Sequence, residues 1–167
     1  MAITRIGGAN AISGTIPAAN VATLTSSNLP TGSVLQVVSS QYSTETSSTS
    51  TTIIDTGLAA SITPSSTSSK ILVTASMSVA KGLDNTYGDW YVFRGSTELI
   101  RQHRNITFNN QAKHNYVGCS FNYLDSPSTT SSTEYKIRFR RSGGGSAAVE
   151  SQTDDSVSVM TLIEIKG

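Results

Sequence analysis

The chain has 167 residues, 37% of them hydrophobic and only 14% charged, with a formal net charge of +1 at pH 7. This length suits one domain with an appendage, and a charge so near zero supplies no global field for nucleic acid or an anionic membrane. The single cysteine, Cys119, excludes an internal disulfide and gives no support to a cysteine-based zinc site, and no apolar run reaches the ~20 residues that span a bilayer.

Residues 1–31 differ from the rest. They are small, neutral and weakly apolar, and Gly7, Gly8, Gly14 and Pro17 argue against one continuous helix. Ile3, Ile6, Ile12, Ile16, Val21 and Leu24 are too sparse to build a core of their own. This segment reads either as a fraying tail or as an extended arm whose isolated side chains drop into pockets on a partner. It has no continuous apolar core of the signal-peptide kind, so the expected place of synthesis is a reducing cytoplasm. Pro30 and Gly32 punctuate the chain, and a β domain is expected over 32–167.

The first strand is predicted over Ser33–Ser40. Ser43–Thr52, with Glu45 its one charge, is either a loop or a polar edge strand. Thr52–Asp55 and Leu58–Ile62 read as two strands joined by a turn at Thr56-Gly57. In Ser69–Val79, Ile71, Val73, Ala75, Met77 and Val79 recur at every second position, which predicts a strand with one buried and one wet face. Such a pattern belongs in an antiparallel sheet. Asp89–Arg94 is an aromatic-rich strand, Gly95-Ser96 a hairpin turn, and Thr97–Arg101 its partner. Ile106 and Phe108 suggest a further short strand, with a turn at Asn109-Asn110. His114–Leu124 alternates through Val117, Cys119, Phe121 and Tyr123. Glu134–Ser142 places Tyr135, Ile137 and Phe139 inside and Lys136, Arg138 and Arg140 outside. Val149 marks a weak strand. The last strand, Ser156–Lys166, presents Val157, Val159, Thr161, Ile163 and Ile165 as its repeating set. The sum is an all-β, jelly-roll-like antiparallel sandwich of about eight to ten strands with an extended N-terminal arm.

Chemistry-bearing patterns are few. His103 and His114 are the only histidines, and neither sits in a recognisable nucleophile–base arrangement. Cys119 alternates with apolar neighbours and reads as a small core residue. Asp154-Asp155 falls short of a cation ligand set and reads as a solvated turn. Gly143–Gly145 lacks the Lys-Ser/Thr and the helix of a phosphate loop. Lys136, Arg138 and Arg140 form an outward strip, read as a solvated face or as an ion-pair surface for an acidic partner. No aromatics interleave with it, as single-stranded nucleic acid would require. Tyr87, Trp90 and Tyr91 read as a sugar-stacking platform or as core packing. No cofactor, metal site, nucleic-acid partner or membrane insertion is expected, and no enzyme.

Seven segments occur in an order that resembles a known family. They are Ser33-Val-Leu-Gln-Val-Val, Asp55-Thr-Gly-Leu, Ile62-Thr-Pro-Ser-Ser, Ser69-Lys-Ile-Leu-Val, Arg94-Gly-Ser-Thr, Tyr123-Leu-Asp-Ser-Pro and Met160-Thr-Leu-Ile-Glu-Ile. The succession resembles β-sandwich domains in virion proteins of tailed bacteriophages, tail-fibre-like or decoration proteins, over residues 32–167. Ala11–Val21 also looks like the linking repeats of phage fibre shafts, in one short copy. The resemblance implies a homotrimer on the virion surface, made in the host cytoplasm and bound to capsid or tail proteins. A trimeric capsid decoration (cement) protein tied down by residues 1–31 is the leading expectation. The alternative is a short tail fibre or receptor-binding tip that reads host glycans.

Overall fold

The computed structural model describes residues 25–82, 86–103 and 115–167. Ten strands follow one another: β1 (Val34–Tyr42), β2 (Thr46–Ser48), β3 (Ile54–Ile62), β4 (Lys70–Lys81), β5 (Tyr87–Arg94), β6 (Thr97–Gln102), β7 (Asn115–Asp125), β8 (Thr133–Gly143), β9 (Val149–Ser151) and β10 (Ser158–Ile165). The strand expected around Ile106 and Phe108, the turn at Asn109-Asn110 and His114 lie outside the described residues. Thr31–Gly167 forms one compact unit; Met1–Pro30 is another, described only from Thr25, where a single 3-10 turn spans Ser26–Asn28.

All recorded strand pairs are antiparallel. Sheet A runs β1-β10-β4, with β7 on the other side of β4 and the short β9 and β2 extending the end. Sheet B runs β3-β8-β5-β6. Setting the two three-residue strands aside, the first, eighth, third and sixth strands make one sheet and the second, seventh, fourth and fifth the other. That order is the jelly roll, two Greek keys closed face to face. The expectation of an antiparallel sandwich therefore holds, and the core is the inward alternation of both sheets. Ile71, Val73 and Val79 of β4 and Leu162 and Met160 of β10 face Leu58, Trp90, Val92, Ile137 and Phe139, all fully buried.

Two sequence expectations change. Thr56-Gly57 is not a turn between strands but a bulge inside one continuous strand, with a register shift between Asp55 and Ala59. Gly57 has φ +90, a left-handed conformation that favours glycine, and a Cβ there would overlap the Tyr42 ring. The polar groups freed by the bulge are satisfied locally: Thr56 Oγ1 donates to the Ile137 carbonyl at 2.9 Å and accepts from the Leu58 amide at 3.2 Å. Gly57→Ala is expected to cost roughly 1–3 kcal/mol from the positive φ and roughly as much again from displacing the Tyr42 ring. In thermal or urea melts, Gly57→Ala made in a Tyr42→Ala background should show only the first part, measured against Tyr42→Ala alone.

The second correction is the face of β10. Val159, Thr161, Ile163 and Ile165 point outward, and Ser158, Met160, Leu162 and Glu164 point in. The outward set is the more apolar of the two, so periodicity alone picks the wrong face. Pairing decides it: Met160, Leu162 and Glu164 lie directly opposite Ala75, Val73 and Ile71 of β4, and direct partners share a face. The inward Glu164 is accommodated because Ser65 donates to it from both its amide and its hydroxyl at 2.7 Å, and Gln36 Nε2 donates at 2.6 Å. Burial pushes this carboxyl up, but the nearby Ser69 hydroxyl and the hydrogen bonds from Ser65 and Gln36 outweigh it and hold the pKa below the usual value. Its contribution to stability is thus present above the ordinary carboxylate range and fades as pH falls through the lowered folded value.

Candidate functional site

Alternation along β8 delivers Lys136, Arg138 and Arg140 to the outer face of sheet B, while Tyr135, Ile137 and Phe139 are fully buried beneath. The three cations meet three carboxylates of the same chain. Arg138 Nε lies 2.7 Å from Asp55 Oδ1, off the line of a straight hydrogen bond, and its Nη2 donates to the Ile53 carbonyl at 3.1 Å. Lys136 Nζ is 3.3 Å from Glu134 and 3.6 Å from Asp55. Arg140 donates from Nε and Nη2 to Asp89 Oδ2 at 3.2 and 3.1 Å. The strip is one surface, as its spacing predicts, but it is neutralised within the chain, which weakens its pull on an acidic partner.

Asp89 is the buried centre of this surface. Besides Arg140, it accepts from the Tyr91 hydroxyl at 3.2 Å, and His103 Nδ1 lies 2.8 Å from its other oxygen. Burial first, and then the Asp89 charge, raises the Tyr91 phenol above its ordinary value. The guanidinium of Arg138 stacks over Phe93 at 4.9 Å, and that of Arg140 over Tyr91 at 5.9 Å. An imidazole held at Nδ1 by a carboxylate supplies two of the three members of a catalytic triad. Among the described residues, however, no Ser, Thr or Cys hydrogen-bonds to it. The groups on this face hold one another.

Tyr87, Trp90 and Tyr91 do not form the platform that their closeness in sequence suggests. Trp90 and Tyr91 are both fully buried, on opposite faces of β5, and Tyr87 is partly buried. A strand sends neighbouring side chains to opposite sides, so Trp90 and Tyr91 cannot share a surface. Trp90 stacks on Phe139 with ring centroids 6.3 Å apart and donates from Nε1 to Ser151 Oγ at 2.9 Å, joining the two sheets. The arm residues Ile3, Ile6, Ile12, Ile16, Val21 and Leu24 lie outside the described residues.

A second polar link between the sheets closes the other end. Asp125, ending β7, accepts from Arg94 Nη1 at 2.9 and 2.7 Å and from the Tyr135 hydroxyl at 2.7 Å. Burial and Asp125 together hold the Tyr135 phenol far above its ordinary value. Cys119 is buried in the core, and burial pushes its thiol up to about 12. It is therefore expected to resist alkylation at pH 8 until the protein unfolds, and Cys119→Ser should cost about 1–3 kcal/mol because it buries a hydroxyl. Rapid native-state alkylation would show the thiol to be accessible after all.

The outer face of sheet A has a different chemistry, which single-strand periodicity does not reveal. Val37, Ile163, Leu72 and Leu124 pair across β1, β10, β4 and β7 into one apolar row, with Val37 and Leu124 about half exposed. The next row is Ser39, Thr161, Thr74 and Asn122. A shallow hollow of about 240 Å³ lies over the middle of this face, lined by Thr74, Ser76, Ser120, Asn122, Val159 and Thr161 among others. Leu72 beside Ile71, and Ile163 beside Leu162, are the sequence signals of a sheet apolar on both sides. Among the described residues, no group of three or more His, Cys, Asp or Glu is placed to hold a metal ion, and no helix is long and apolar enough to cross a membrane.

No protein-family model and no curated protein matches the chain. Among solved structures, it is similar to the crystal structure of the infectious bursal disease virus VP2 subviral particle, at 14% identity and a TM-score of 0.43, covering 78% of this chain and 36% of that one. It is similar also to the structure of the infectious bursal disease virus Gx strain, at 12% identity and a TM-score of 0.41, covering 93% of this chain and 42% of that one. The chain thus spans well under half the length of either, and a likeness this loose carries no functional weight.

Proposed function

We propose that this chain is a non-enzymatic structural protein of a bacteriophage virion, a homotrimeric decoration of the capsid surface held there by residues 1–31. The observation that carries the reading is the coincidence of the phage-like segments with a jelly roll, an architecture widely used in viral capsids. Five of the seven segments supply identifiable features of the fold. Asp55-Thr-Gly-Leu makes the bulge, Arg94-Gly-Ser-Thr the β5–β6 hairpin, and Tyr123-Leu-Asp-Ser-Pro supplies Asp125. Ile62-Thr-Pro-Ser-Ser supplies Ser65 to the Glu164 of Met160-Thr-Leu-Ile-Glu-Ile. Such residues speak for a shared fold, and the function comes by analogy from it.

A glycan-reading tail tip remains the rival, since jelly rolls also build lectins, but its aromatic platform is dispersed by the burial of Trp90 and Tyr91. Cryo-EM of intact virions, with the chain located by an antibody fragment, tests the reading. Three-fold density on the capsid is expected; density confined to the tail, together with selective binding on a glycan array, would favour the rival.

A further inference from the structure

Three successive rows of outward residues cross β1, β10, β4 and β7 of sheet A. They are the apolar row through Leu72, the hydroxyl-and-amide row through Thr74, and the row of Gln41, Val159, Ser76 and Ser120. None of these side chains is ionisable. The outer face of sheet B, by contrast, carries Asp55, Glu134 and the three cations of β8. The nearest charge on the sheet A face is Lys70, opposite Ile165 and beyond the apolar row. The two edge strands are equally plain. β1 has no charged residue, and β7 has none before Asp125. Exposed edge strands ordinarily carry lysines, prolines or inward charges that block pairing with another chain.

We propose that the outer face of sheet A is the surface on which a second copy of this chain packs, with the row Val37–Ile163–Leu72–Leu124 as its apolar part. Charge supports this occupant. In a two-fold pair each copy sets these three neutral rows against the other's, with the exposed Lys70, opposite Ile165 at the start of β4, left at the rim, so no ion need lose its water on contact. Size supports it too. The whole face, four strands about 4.8 Å apart and about 27 Å long with the Ile165–Lys70 row included, presents roughly 500 Å² per copy, or about 1,000 Å² for two, which reaches the lower bound of a specific interface. The proposal rests on the virion reading for the number of copies, not for the face. A trimer needs this face to meet a different patch of the next copy, whereas a two-fold pair packs it on itself.

The test uses the full chain, with its mass in solution measured by light scattering and sedimentation at micromolar concentration. The wild type is expected at a multiple of 17.6 kDa, and Leu72→Lys at 17.6 kDa with an unchanged near-UV circular dichroism spectrum. Thr97→Lys, which adds the same charge at an exposed position of β6, should keep the wild-type mass. Should Leu72→Lys fail to fold, Val37→Lys carries the test, because that side chain is already 58% exposed. Folded lysine variants that keep the full mass would overturn the proposal. So would a wild type that is monomeric in solution and uses this face only to bind capsid shells. A wild-type dimer dispersed by Leu72→Lys would sustain the face while sinking the trimer.

Discussion

Asp125→Ala is expected to destabilise the sandwich by about 3–5 kcal/mol, among the largest effects of any single side-chain truncation in this fold. Asp125 is 6% exposed and ends a strand of sheet A, yet its partners Arg94 and Tyr135 belong to sheet B. Removing it strands a guanidinium whose side chain is 29% exposed and leaves a buried phenol without its acceptor. The penalty is chiefly that of uncompensated desolvation, not the net worth of the ion pair. Tyr135→Phe, which removes one hydrogen bond to a charged acceptor and leaves Arg94 paired, should cost only about 1.5–3 kcal/mol. Urea denaturation at neutral pH checks both, with the midpoint falling and the slope unchanged. An Asp125→Ala midpoint within error of wild type would mean that apolar packing alone holds the sheets at this end.

That clasp also shows how far the sequence is legible. Alternation in β4 and β8 identified the buried face of each, because there one set of side chains is apolar and the other polar or charged. β10 failed the same test, since Val159, Ile163 and Ile165 look at least as buried as Met160 and Leu162. Only its register against β4 decides, and register is a relation between strands that no single strand contains. Gly57 read as a turn because glycine punctuates turns and bulges alike. Trp90 and Tyr91 look like one surface because they are adjacent in sequence, but a period of two sends them to opposite faces. Asp125, Arg94 and Glu164 carried no signal of burial of their own. Charged residues are seldom buried without partners, and their partners lie 31, 10 and 99 residues away. The neutral face of sheet A emerges only when four strands, distant in sequence, are set side by side.

Deletion of residues 1–31 is expected to abolish or strongly weaken attachment to the particle while leaving the β domain folded and its assembly intact. The first strand begins at Val34, and the pairing of β1 with β10 is continued by the Gly32 amide donating to the Lys166 carbonyl at 2.8 Å, so no ladder is lost. On the proposed mode of attachment, the binding term would come from the six isolated apolar residues from Ile3 to Leu24. Each contributes roughly 1.5–3 kcal/mol when fully buried in a pocket. Each ordered residue costs about 1–2 kcal/mol, so net binding requires that only the short stretches at the anchors become fixed; single arms then bind modestly, and several arms on one assembly bind by avidity. Ile12→Asp or Ile16→Asp should therefore weaken attachment by itself, since a carboxylate must enter an apolar pocket or leave it empty. Charge reversal at Arg138 and Arg140 should matter less for attachment, and more at low salt than at high, because those cations already face Asp55 and Asp89. The measurement is to strip native copies from particles, add back purified variants and count occupancy. A deletion variant that rebinds to wild-type occupancy would place the holding surface on the β domain instead, and the assembly mass of that same variant would show whether loss of attachment had come from loss of subunit contacts.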